Sequence, residues 1–457
     1  MAAANRLASV WIARSLAILG IAFSFALDLV PGAKPGIGKG QGLLLGIMLL
    51  LFVVAPRIPA AVRERLALLA VAAAVCVGVA EGILRTSLVG QLGEPYRPHP
   101  RWLWEHIPFY SSQVVNPEGV SVLLRVNRDG HIGPAPTEQR PRVIVYGDSF
   151  VAGREVAEPD RFVARLAQAL ENGTRGRVQA INAGVRAYGP DQELMRLEAD
   201  LRSGTSDLVI VVLYAGNDFS DPIRNGLFRL DGAGRLEFAP ARLDPELERG
   251  LVGNSSGLAL QRLWRAVQER WRARTPRAAD PPTAEGIDVF LRAAHERFEA
   301  YQAGGALVRF DSDRFNADVA LEPESESARA SVALFKALLK EMGELTRKSG
   351  TRLLTVGVPF VLDVCPDHAF GRIEPSRYPG YRRARTTEIF VETARELQIP
   401  HVDLFPVFSS GIGCRRYFRS DDHWNASAQA VAASLVAKRI QALGLLGTAR
   451  AELPGVE

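Results

Sequence analysis

Apolar and polar positions change texture twice along this chain. Long, nearly uncharged apolar segments come first, at Leu7–Leu27, Gly42–Ala55 and Leu66–Leu84. The first and third approach the ~20 residues a helix needs to cross a bilayer, and the second, being short, suits a tilted or re-entrant segment. Arg14 interrupts the first segment and must snorkel or face a neighbouring helix. Arg6 precedes the first segment, and Arg57, Arg63 and Arg65 lie between the second and third. That charge distribution predicts a cytoplasmic N-terminus, three spans, and everything after Arg85 outside. If the first segment is a cleaved signal peptide instead, two spans remain and the rest still ends outside. Residues 1–89 thus read as a membrane module, against the alternative of buried helices in a soluble protein.

From Gly90 to Pro141 the chain is punctuated by proline and glycine and holds the aromatic cluster Trp102, Trp104, Phe109 and Tyr110. Val120–Val126 has strand character, and Asn127-Arg128-Asp129-Gly130 reads as a turn. We read residues 90–141 as a neck carrying a small hairpin.

A different rhythm then sets in, over residues 142–450. Val143-Ile144-Val145-Tyr146 is a continuous apolar run, the pattern of a strand buried on both faces, and it enters Gly147-Asp148-Ser149. Phe162, Val163, Leu166 and Leu170 have helical spacing, ended by Asn172-Gly173. Further strands are predicted at Val178–Ile181, Leu208–Leu213, Arg352–Val358 and His401–Phe405. Helices are predicted at Asp191–Leu201, Ser325–Lys348, Arg383–Leu397 and Ser427–Leu443. Strands alternating with helices at this spacing predict a parallel, doubly wound α/β sheet. Residues 219–324 break the rhythm and are too long for a bare loop. Helical patterns at Leu258–Arg274 and Ile287–Tyr301 make this stretch a helical insertion, either a cap beside a site or a surface for a partner.

Composition removes several alternatives. The net charge of +5 comes mostly from scattered arginines, with no dense basic run interleaved with aromatics, so nucleic acid is set aside as a partner. Three cysteines with no CxxC pattern exclude a disulfide scaffold and a zinc finger. Cys76 lies in an apolar segment, and Cys365 and Cys414 form a pair only if their Cα atoms approach in an oxidising compartment. Gly147–Gly153 carries neither a dinucleotide nor a P-loop fingerprint.

What stands at the end of each strand points to chemistry. Ser149, Gly184 and Asn217 follow three strands, and Asp421-Asp422-His423-Trp424-Asn425 precedes the last helix. A parallel sheet gathers such positions along one edge. There they supply the parts of acyl transfer, with Ser149 as nucleophile, His423 as base and Asp421 to orient the imidazole. Asp422 is held in reserve for that last role, and Asp421-Asp422 could alternatively be a plain helix cap. The backbone N–H groups of Ser149 and Gly184 and the Asn217 amide would form an oxyanion hole.

On these residues the chain resembles the SGNH, or GDSL, hydrolases. Gly147-Asp148-Ser149, Gly184, Asn217-Asp218 and His423 match the family's four blocks in order. Ala215 replaces the glycine usual in the third block, and Ser420 stands where the family's aspartate usually lies. Asp421 in an Asp-x-His-Trp arrangement resembles instead the membrane-associated, alginate O-acetyltransferase-like branch. The resemblance implies a flavodoxin-like three-layer α/β/α fold and no metal or organic cofactor. It implies hydrolysis or transfer of small acyl groups, and with the apolar N-terminal segments it gives the expectation of a membrane-anchored serine acyl esterase facing the periplasm or cell exterior, acting on an acyl ester of an envelope glycan or lipid. The alternatives are an O-acetyltransferase of surface polysaccharide and a non-catalytic glycan-binding or assembly protein.

Overall fold

The structure is a computed structural model that describes residues 10–11, 14–15, 18, 39–86, 94–137, 141–173, 178–204, 206–256, 288–304, 307–308, 318–366, 368 and 379–446. The chain divides into two compact units, Met1–Pro98 with Pro245–Pro276, and His99–Asp244 with Arg277–Glu457.

The second unit is built on five strands and their helices. In chain order these are β1 (Arg142–Tyr146), α1 (Ser149–Ala152), α2 (Phe162–Gly173), β2 (Gln179–Asn182), α3 (Pro190–Ser203) and β3 (Leu208–Tyr214). They continue with α4 (Glu326–Lys348), β4 (Arg352–Val358), α5 (Arg385–Glu396), β5 (His401–Asp403) and α6 (Ala426–Ala442). All neighbouring pairs are parallel, and the sheet runs β2-β1-β3-β4-β5. β1 therefore has its successor in chain order on one side and β3 on the other. That reversal is the switch point at which open α/β sheets keep their ligands.

Period-two alternation sorts the strand side chains onto two faces. Val143, Val145, Leu208, Ile210 and Val212 pack with Phe162 and Leu166 of α2 and Ala432 and Val436 of α6. Ile144, Tyr146, Val209, Val211 and Leu213 pack with Leu197 of α3, Phe335 and Leu338 of α4 and Phe390 of α5. Because both faces are covered, every residue of β3 is buried. At about 1.5–3 kcal/mol for each large aliphatic side chain removed from water, these two clusters are the main source of the domain's stability.

The segment after His99 belongs to this unit. An antiparallel hairpin pairs Ser111–Val115 with Ser121–Arg125. Trp104 is fully buried, its indole N–H donating to Arg186 O (3.2 Å), while its own carbonyl accepts from Tyr188 Oη (2.5 Å). Gln192 Nε2 donates to Trp102 O (2.9 Å), and Ile132 N donates to Asn182 O (2.9 Å). The aromatic cluster thus grips the loop that leaves β2.

The insertion is not wholly helical. It holds a hairpin (Phe228–Leu230 with Leu236–Phe238), a short parallel pair (Arg242–Leu243 with Leu307–Val308) and a helix at Asp288–Ala303. The helix expected at Leu258–Arg274 lies outside the described residues.

The other unit contains helices Lys39–Val54, Ala60–Thr86 and Pro245–Ser256. Among the described residues no helix is long and apolar enough to cross a membrane, so the expected N-terminal transmembrane helices find no support. Lys39–Val54 has 16 residues, about 24 Å at 1.5 Å each, against a hydrocarbon core of about 30 Å. In Ala60–Thr86 the charges Arg63, Glu64, Arg65, Glu81 and Arg85 confine the uncharged run to Leu66–Ala80. Most of Leu7–Leu27 lies outside the described residues.

Candidate active site

Ser149 sits three residues past the end of β1, at the start of α1, and is 9% exposed. Asp148 caps that short helix, its Oδ1 accepting from Phe150 N at 2.8 Å, and Gly153 ends it in the left-handed region (φ 55°). Gly147 allows the sharp turn, since a Cβ there would lie 2.4 Å from Val151 Cγ2. The chain reverses from strand to helix in so few residues that the Ser149 hydroxyl stands at the sheet edge.

Gly184 does something different from what its position suggests. Its N–H donates to the Asn182 side chain (Oδ1, 3.0 Å), so the expected oxyanion donor is already engaged. Asn182 is fixed in turn by donating to Val151 O (2.8 Å). What Gly184 supplies is room: a Cβ would lie 2.4 Å from Ala152 N, in the backbone of the nucleophile helix. Farther along this loop Ala187 takes a positive φ of 59°, unusual for a residue with a side chain.

Asn217 lies three residues past the end of β3, beside Ser149 across the switch point. One N–H of its amide donates to Asp148 Oδ2 (3.3 Å), which leaves the other for a ligand. Asp148 is buried, and burial lifts its pKa to about 6 despite the Phe150 N–H, the nearby His423 charge and the Asn217 amide. Asp218 closes the turn after β3 by accepting from Tyr214 N (2.8 Å).

His423 is flanked by both candidate carboxylates. Its Nδ1 is 2.5 Å from Asp421 Oδ1 and 3.3 Å from Asp422 Oδ1. Asp421 Oδ1 also accepts from His423 N (2.9 Å), while Asp422 Oδ2 accepts from Tyr214 Oη (2.9 Å). With Nδ1 facing carboxylates, Nε2 is left for a substrate or nucleophile proton. The Phe150 ring stacks on the imidazole with centroids 5.2 Å apart, which brings the residue after Ser149 against His423. Burial pushes the imidazole pKa down, but Asp422, Glu155 and Asp421 outweigh it and hold the ring up at about 10. Burial would raise Asp421, yet the hydrogen bond from His423 and its charge keep it below the usual range. Asp422 stays above that range because burial is the larger effect there.

The loop carrying these residues is anchored on three sides. Asn425, rather than either aspartate, caps α6 by accepting from Ser427 N and Ala428 N. Its amide also donates to Arg415 O (2.7 Å) and Tyr417 O (3.3 Å). Cys414 is disulfide-bonded to Cys365, with Cα atoms 5.0 Å apart, tying the loop to the chain beyond β4. Buried Trp424 packs edge-on against Phe150, centroids 5.3 Å apart. Tyr214, Phe150 and Glu155 are thus parts of the site that its sequence pattern does not single out. Tyr214 lies two residues before Gly216 in a block already recognised, but nothing in that block signals a partner 208 residues away.

Among the described residues Asp421, Asp422 and His423 are the one group of three acid or imidazole side chains whose ligand atoms lie within 4.8 Å. Their pairing through Nδ1 already suits a base and its orienting acid.

Residues 315–453 match the family described as the SGNH hydrolase-like domain, acetyltransferase AlgX. Curated protein sequences give no match. Similar solved structures include the lipase/acylhydrolase from Enterococcus faecalis, at 12% identity over 66% of this chain and 97% of that one (TM-score 0.33). The psychrotrophic esterase EstA from Pseudoalteromonas sp. is 10% identical over 66% of this chain and 98% of its own (TM-score 0.33). A two-domain esterase active on acetylated mannans is 13% identical over 66% of this chain and 49% of its own (TM-score 0.33). At TM-scores this low the fold assignment rests on the strand order and the family match instead. What that match shows is a likeness of residues 315–453, the stretch that holds His423 and both aspartates, to an SGNH hydrolase-like domain described as an acetyltransferase's.

Proposed function

We propose that the chain handles O-acyl esters through an acyl-Ser149 intermediate. The observation that carries this reading is the 2.5 Å contact of Asp421 with His423 Nδ1, on an imidazole stacked against the residue that follows Ser149. Ser149 Oγ attacks the ester carbon while His423 Nε2 takes its proton. The tetrahedral oxyanion is met by the Ser149 N–H and the free N–H of the Asn217 amide. Collapse expels the alcohol, which receives the proton from His423, and water then releases the acid from Ser149. The purified protein should hydrolyse a short-chain activated ester, and Ser149→Ala should remove that activity. Turnover that survives the substitution refutes the nucleophile.

A second reading, O-acetyl transfer to a cell-surface glycan, is favoured by the description of the matching family. Here an acceptor hydroxyl replaces water at the acyl-enzyme. Incubation with an acetyl donor and a polysaccharide separates the two, because only transfer yields acetylated glycan. A chain that does neither, yet retains glycan, would fit the non-catalytic reading.

A location outside the cytoplasm is supported by the Cys365–Cys414 disulfide. Association with a membrane is supported by exposed apolar residues on Ala60–Thr86, with Leu68 at 74% and Leu69 at 65%. Cell fractionation with and without detergent tests it, and recovery in the detergent-free soluble fraction counts against it.

A further inference from the structure

A short antiparallel bridge closes the loop that carries Asp421, Asp422 and His423. Tyr417 pairs with Trp424, with Phe418 N donating to His423 O (3.1 Å) and Asn425 N to Arg416 O (3.0 Å). In a regular antiparallel ladder the next pair, Phe418 and His423, would exchange both of their backbone bonds. Here His423 N donates instead to Asp421 Oδ1 (2.9 Å), the oxygen that also meets His423 Nδ1 at 2.5 Å. Phe418 is 3% exposed, so its carbonyl, deprived of His423 N, would cost free energy without another donor.

That donor is His368. Its Nε2 lies 2.8 Å from Phe418 O, and a carbonyl can only accept, so Nε2 carries a proton. The residue is buried, and its ring meets the Tyr417 ring edge-on with centroids 6.4 Å apart. Its backbone N–H donates to Cys365 O (3.1 Å), and Cys365 is bonded to Cys414. The seat of His368 is thus fixed by the segment that follows β4, outside the loop whose carbonyl it holds.

We propose that His368 is a positioning residue for the Asp421–His423 pair. By satisfying Phe418 O it releases His423 N from the ladder, and that N–H is then open to draw Asp421 Oδ1 onto the imidazole. Without the Nε2 donor, Phe418 O competes for His423 N. The ladder bond then closes at the expense of the bond to Asp421, and the carboxylate loses one of the two groups that hold it against Nδ1. His368 acts through Phe418 rather than on a substrate. Only the catalytic role given to His423 rests on the acyl-serine reading.

Nitrogen NMR of the full chain labelled at histidine should show His368 with hydrogen on Nε2 at neutral pH. A ring protonated on Nδ1 alone overturns the proposal without any variant. His368→Gln keeps an N–H donor at similar reach, and His368→Leu removes it. The proton between His423 Nδ1 and Asp421 should give a far-downfield signal, identified by its loss in Asp421→Asn. That signal should persist in His368→Gln and move or vanish in His368→Leu. With an activated ester, kcat should fall at least about tenfold in His368→Leu with KM little changed, and His368→Gln should stay within about threefold. The proposal is overturned if His368→Leu leaves signal and kcat unchanged, or if both variants lose them alike. If His368→Leu does not fold, the tautomer and the signal in His368→Gln decide. If Ser149→Ala retains turnover, the acyl-serine reading fails, while tautomer and downfield signal still judge His368.

Discussion

The Tyr214 hydroxyl donates to Asp422 Oδ2 at 2.9 Å, reaching from the end of β3 to the loop before α6. That bond gives the two aspartates beside His423 different tasks. Asp421 makes the short contact to Nδ1, whereas Asp422 is committed to the phenol and adds charge from 3.3 Å. Asp421→Asn should lower kcat by roughly 10³–10⁴-fold, as expected when the imidazole loses the acid that fixes its tautomer. Asp422→Asn should cost less than about tenfold by the same reasoning. Steady-state rates on one ester decide it, and equal losses reject the assignment.

A base must be neutral to accept a proton, so the imidazole held up at about 10 sets the pH profile. The rate should climb as pH rises towards that value, because the neutral fraction of His423 grows roughly tenfold per unit below it. Asp422→Asn removes the largest of the charges that raise the ring. Its acidic limb should therefore move to lower pH. A profile of kcat/KM against pH checks both, and a limb unmoved by Asp422→Asn contradicts the electrostatic account.

Gly184→Ala places a Cβ 2.4 Å from Ala152 N and 2.7 Å from Val151 Cβ. These atoms belong to the nucleophile helix and cannot move without moving Ser149. The substitution should destabilise the fold by about 1–3 kcal/mol, as overpacking does. Thermal unfolding measures the stability, and ester turnover per folded molecule reports the displacement of Ser149.

Much of the sheet was legible because strands covered on both faces read as continuous apolar runs, Leu208–Leu213 above all. The edge of the site was legible through Gly147-Asp148-Ser149 and Asp421-Asp422-His423. The bond from Gly184 N to Asn182 Oδ1 was not legible, because a glycine after a strand looks the same whether its N–H is free or bonded. Spacing carries no record of the Asn182 side chain reaching forward two residues. Among the described residues the third apolar segment finds no support as a span, because average hydropathy hides how Arg65 and Glu81 confine its uncharged run to Leu66–Ala80. Tyr214 was invisible for a third reason, since its partner Asp422 is set by packing.

Removing the Cys365–Cys414 bond by Cys414→Ser should cost about 2–5 kcal/mol, the usual range for a native disulfide. Because the Gly413–Arg416 turn also holds Asn425 and hence the start of α6, turnover should fall with it. Unfolding and kinetics of the oxidised, reduced and Cys414→Ser proteins compare the three, and identical behaviour rejects a structural role.

The grip of Trp102 and Trp104 on Arg186, Tyr188 and Gln192 bears on where the enzyme can be cut. A fragment opened at Arg142 keeps all five strands and every residue of the acid–base pair, and on strand count it is a whole domain. It would nonetheless expose the polar backbone of the loop after β2 and leave the fully buried Trp104 site as a hole. The smallest autonomous enzyme in this chain therefore starts upstream of Trp102, some forty residues before its first central strand.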